Sequence, residues 1–100
     1  MRLSDFEETT IVNAVRSRFG SETHVYLFGS RIDDAVKGGD IDLLVDLPVV
    51  NHKIVQRSCQ VIADIQMTLG EQKIDLVVRH PDSASQPIFH EALTHGILLA

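Results

Sequence analysis

The chain has 100 residues, 44% of them hydrophobic, one cysteine and a formal net charge of -5. The length predicts one domain over residues 1–100 with a modest core, and the apolar content excludes a disordered chain. The acidic balance argues against direct nucleic-acid binding and against an anionic membrane surface, while the lone Cys59 excludes an intrachain disulfide and fits a reducing cytoplasm.

The opening stretch, MRLSDFEETT, is acidic and lacks the apolar core of a signal peptide. No apolar run approaches the ~18 residues that span a bilayer. A soluble, cytoplasmic protein without a membrane partner is therefore expected.

Ser4 and Glu7 have capping-box spacing, and Asp5, Glu7 and Glu8 suit a helix N-terminus. Phe6, Ile11, Val15 and Phe19 supply an apolar stripe, and Gly20 stands where a helix stops, so a helix is predicted over about 5–19. Arg16 and Arg18 read as a solvated last turn. His24 to Phe28 is apolar and β-prone and predicts a strand, central in its sheet or covered on both faces. Gly29-Ser30 ends it, Arg31 to Asp34 could form a helical turn, and Lys37-Gly38-Gly39 is loop chemistry. Asp40 to Leu47 predicts a second strand, with Ile41, Leu43, Val45 and Leu47 on one face and Asp40, Asp42, Leu44 and Asp46 on the other.

An amphipathic helix is predicted over about 52–69, with Ile54, Val55, Val61, Ile62, Ile65 and Leu69 as its apolar stripe and Cys59 as a small packed hydrophobe beside it. Lys73 to Arg79 predicts a third strand. A last helix starts near Ser85 with Pro87 in its first turn, its Ile88, Phe89, Ala92 and Leu93 facing inward and Gly96 at its end. Ile97 to Leu99 reads as a short strand or a docked tail. The order predicts an α/β (α+β) architecture: a small mixed β-sheet with helices mainly on one face and the acids on the other.

Asp40 and Asp42 lie two apart on a strand, so their carboxylates share a face with Cα atoms about 7 Å apart. Two carboxylates so spaced can converge on a hard divalent cation such as Mg2+. Asp75 joins them if the third strand lies beside the second. An acid inside an apolar strand is disfavoured by propensity, and its unpartnered burial would cost several kcal/mol, order of magnitude. A solvated acidic face is the plainer reading of Asp40 and Asp42 alone, and Asp75 weighs against it. Asp46 reads as solvated. Gly29 permits close approach of a phosphate, Ser30 adds a hydroxyl donor, and Arg31 offers a fork-shaped guanidinium. None of the five histidines has zinc-ligand spacing; His80 could approach the acids but reads as a loop residue.

The run VYLFGSR followed by DIDLLVD resembles the polymerase-β-type nucleotidyltransferase signature: apolar strand, Gly-Ser, a gap of about ten residues, then an Asp-apolar-Asp strand. In length it is most similar to the minimal nucleotidyltransferases, many of which are antitoxin partners of all-helical HEPN toxins. The resemblance extends through KIDLVV to EALTHG and implies a polymerase-β-like fold. It implies that Asp40, Asp42 and Asp75 bind two Mg2+ ions and are catalytic, with Asp75 activating an acceptor hydroxyl. Gly29, Ser30 and Arg31 would bind the nucleoside triphosphate. The implied activity is transfer of AMP from ATP to a hydroxyl, a tyrosine of the partner toxin. One departure stands out: relatives often continue Gly-Ser-Arg-Ala-Arg-Gly, whereas Ile32-Asp33-Asp34 follows here, and two acids near the phosphates work against nucleotide affinity. Lys37 reads as a loop lysine rather than a replacement for the missing arginine.

So short a chain supplies the catalytic sheet and little else, so the acceptor surface is expected from another chain. Ile54, Val55 and Ile62, or Ile97 to Leu99, are core or a docking patch for it. Two other activities remain open: a non-catalytic module that neutralises a toxin by binding, and transfer to a small molecule.

Overall fold

A computed structural model of the protein describes residues 3–29 and 40–100. Helix α1 spans Asp5–Phe19. Its start is the expected capping box: Glu7 N–H donates to Ser4 Oγ at 3.1 Å, and Ser4 N–H donates to Glu7 Oε1 at 3.0 Å. Two donors that the first turn cannot satisfy are thereby paired. Strand β1 spans His24–Phe28, β2 Ile41–Asp46, helix α2 Ile54–Leu69, β3 Ile74–Arg79, helix α3 Pro87–His95, and β4 Ile97–Leu98. Pro87 stands at the start of α3, where its missing N–H costs no helical bond.

The four strands are ordered β3-β2-β1-β4. β1 is antiparallel to β2 and to β4, and β2 is parallel to β3, so the sheet is mixed as expected. A parallel pair needs a crossover, and α2 is that crossover. β1 is central, which accounts for its near-continuous apolarity.

Alternation in the strands divides the core in two. On one face Val25, Leu27, Ile41, Leu43 and Val45 are fully buried beneath Ile11 and Val15 of α1 and Val61 and Ile65 of α2. On the other, Leu44 and Phe28 are packed with Phe89 and Ala92 of α3, with Tyr26 and Val77 alongside. The helices are thus mainly on one face, with α3 alone among the described helices on the other. That second face carries the acids, and α3 covers its middle.

Some apolar residues expected inside are outside, for reasons of helical phase. Taking about 100° per residue, Val55 lies about 120° round the helix from Val61, and its side is 78% exposed. Cys59 lies about 160° from Val61 and is exposed rather than packed. Phe6 is about 140° out of phase with Ile11 and is 63% exposed. Ile88 is also exposed, at 39%, while its neighbour Phe89 is buried. Ile97 and Leu98 form a short strand, the first of the two expected readings. Among the described residues no helix is long and apolar enough to cross a membrane.

Candidate active site

The ladder geometry brings two of the three acids face to face. Asp42 is the second residue of β2 and Asp75 the second of β3, and the parallel register pairs them. Adjacent strands run about 4.8 Å apart, and the two carboxyl groups are hydrogen-bonded. On the other side of β2 the register pairs Asp42 with Phe28, the last residue of β1. Gly29 follows at once, with φ +75°. That conformation suits glycine. A Cβ at Gly29 would also collide with Asp42 Oδ2. Glycine is thus required twice here, by backbone geometry and by the carboxylate packed against it.

The Asp42 carboxyl is pushed up from 3.8 to about 6. Partial burial is the largest cause; the Asp75 charge, the hydrogen bond with Asp75 and the Asp40 charge follow, and Lys73 opposes them. Two carboxylates in contact cannot both ionise cheaply. Asp75 itself is exposed. It occupies an edge strand, so an acid in KIDLVV incurs no deep burial, contrary to the cost its apolar neighbours imply.

Asp40 precedes the first rung of β2 and is turned to a different partner. Its Oδ2 lies 3.4 Å from Lys73 Nζ. Asp42 thus engages Asp75 while Asp40 engages a lysine, and among the described residues no three His, Cys, Asp or Glu side chains form a ready-made metal cluster. The donors are nonetheless all hard oxygens, and after burial it is the neighbouring Asp75 and Asp40 charges that raise the Asp42 pKa. Both features fit Mg2+. Ser30 and Arg31, with Asp33, Asp34 and Lys37, lie outside the described residues.

Asp46, expected to be solvated, is half-buried and accepts hydrogen bonds from Arg79 Nη1 at 3.0 and 3.1 Å. The register that pairs Asp42 with Asp75 also pairs Asp46 with Arg79, four residues further on. His80 follows β3 at that far end and does not approach the acids; its Nδ1 accepts from Asp82 N–H at 3.2 Å. A cleft of about 330 Å³ between Phe19–Thr23 and Leu47–Asn51 also opens at the far end and lacks paired carboxylates. Lys73 is the residue that reading the sequence overlooked. Its signal was present: Lys-Ile-Asp on one strand matches Asp-Ile-Asp on the other, so parallel pairing of the two Asp residues sets Lys73 opposite Asp40.

A mixed sheet that sets a glycine turn and acids from two parallel strands at one end resembles the nucleotide-transferring class. In a comparison with protein families, the family described as Polymerase beta, Nucleotidyltransferase matches residues 13–100. The chain belongs to that family, and its fold and general activity are of the nucleotidyltransferase type. No curated protein and no solved structure matches the chain.

Proposed function

We propose that this chain is a Mg2+-dependent nucleotidyltransferase that moves AMP from ATP to a tyrosine hydroxyl of an all-helical HEPN-type toxin, and so acts as its antitoxin in the cytoplasm. The observation that carries the reading is the contact of Asp42 with Asp75 across parallel strands, beside the positive-φ Gly29. The minimal-nucleotidyltransferase resemblance of LFGSR and DIDLLV supports the partner and acceptor.

In this reading Asp40, Asp42 and Asp75 hold the metal. Two bound Mg2+ ions supply charge neutralisation on the triphosphate and a lowered pKa for the acceptor hydroxyl. Asp75, the exposed acid, accepts the acceptor's proton. The acceptor oxygen bonds to the α-phosphorus as the bond from that phosphorus to the bridging oxygen breaks, and pyrophosphate leaves with the electron pair. Gly29 keeps side-chain bulk away from the phosphates, with Ser30 and Arg31 binding them. The work of the chain is positioning and charge complementarity.

The test mixes the protein with Mg2+, α-labelled ATP and the helical protein of the adjacent reading frame. Label should transfer to that protein. Asp42→Ala should abolish the label while the complex still forms. If neither wild type nor variant labels the partner and both neutralise it, the activity is neutralisation by binding and the transferase reading fails.

A further inference from the structure

Lys73 has no role in the site as built so far. Its backbone is held firmly. Ile41 N–H donates to Lys73 O at 3.0 Å, next to the first rung of the β2–β3 ladder. The preceding turn is tied to α2, because Gln66 Nε2 donates to Gln72 O at 2.8 Å. The ammonium is therefore a cation on a fixed tether, and it reaches Asp40 Oδ2 at 3.4 Å. Among the described residues, Asp40, Asp42 and Asp75 gather with Lys73 at this end of β2 and β3. Among the described residues, Lys73 is the charge that favours the ionised form of Asp42.

We propose that Lys73 is a positioning residue that acts as a tethered counter-ion, holding Asp40 in the cation-free site and yielding that carboxylate when a divalent cation binds. The inference rests on the metal-dependent reading above. Its physical basis is a contest for one ligand. The lysine side chain is 71% exposed and that of Asp40 39%, so water screens their attraction and the pair is easily exchanged. An ammonium is a hydrated point charge without the bidentate fork that would lock a carboxylate. A doubly charged hard cation prefers carboxylate oxygen and prevails once present. Until then Lys73 offsets part of the charge of three neighbouring acids.

The contest predicts that removing the lysine charge tightens cation binding. Mn2+, a hard cation visible by electron paramagnetic resonance, is the probe, titrated into the protein without nucleotide. Lys73→Gln should lower the Mn2+ dissociation constant about threefold, the size expected for losing an exposed ion-pair competitor. Lys73→Arg, which keeps the charge and adds the bidentate fork, should bind Mn2+ no more tightly than the wild type. In an Asp40→Asn background most of the tightening by Lys73→Gln should disappear, because the contested ligand is gone. Equal or weaker Mn2+ binding by Lys73→Gln would overturn the inference while leaving the metal-dependent reading intact, and so would the same tightening in the Asp40→Asn background. A wild type that binds no Mn2+, or binds it equally after Asp42→Asn, would overturn both.

Discussion

Asp42 is the residue in which the electrostatic strain of the site is concentrated. Its carboxyl is raised from 3.8 to about 6, first by burial and then by Asp75 and Asp40. The effect on stability has a definite sign. Below about pH 4 the group is protonated in folded and unfolded chains alike. Between about pH 4 and 6 the folded protein keeps a proton that the unfolded chain has released, so stability falls as pH rises through that window. Asp42→Asn cannot ionise and removes this dependence. In metal-free buffer at about pH 8 the variant should be more stable than wild type by roughly 1–2 kcal/mol, after discounting for the partial exposure of Asp42 to water. The advantage should vanish near pH 4. Urea unfolding across this range checks it, and a difference independent of pH would contradict the assignment. A divalent cation should reverse the order, since the charge that destabilises the empty site is what binds the ion.

At the scale of elements, α2 shows how phase decides burial. Val61 and Ile65, four apart, are fully buried, and Ile54, Ile62 and Leu69 flank them. Val55, as apolar as any of these, faces water. Ile65→Ala should therefore cost about 2–5 kcal/mol by transfer and cavity, whereas Val55→Ala should change stability by less than about 0.5 kcal/mol. Thermal or chemical unfolding of the two variants tests the contrast, and a large loss at Val55 would mean that its side of α2 is covered. Element types and most boundaries were readable from the chain, because caps and breakers are local: Ser4 with Glu7, Gly20, Pro87. The burial of Phe6, Val55, Cys59 and Ile88 was misread because apolar character was counted without its angular position. Spacings of five and six residues cross to another side of a helix.

For the whole molecule the telling feature is α3. It packs Phe89 and Ala92 onto Leu44 and Phe28, so it closes the middle of the face bearing the acids. One end holds Asp42 and Asp75, the other Asp46 and Arg79. The chain then turns at Gly96 into β4, where a Cβ would overlap Ala92 O and Leu27 O. Backbone thus approaches backbone closely enough to complete the sheet beside β1. Phe89→Ala should empty the centre of the second core and destabilise the protein by about 3–5 kcal/mol. Denaturant unfolding measures it, and a loss under about 1 kcal/mol would mean that α3 rests loosely on the sheet.

Asp40, Asp42 and Asp75 were legible as candidates because period-two alternation and an acid in an apolar strand are properties of short stretches. Local chemistry also sufficed for the order of elements, the capping box and the glycine turn after β1. Pairing between strands is a different matter. That Asp42 faces Asp75, that Lys73 holds Asp40 and that Arg79 binds Asp46 all follow from one parallel register between segments more than thirty residues apart. The burial of whole faces set that register, since a slip by one residue would turn every apolar side chain of β3 to the wrong face. Local spacing cannot encode such a choice; only the packed sheet beneath α1 and α2, with α3 across its other face, makes it.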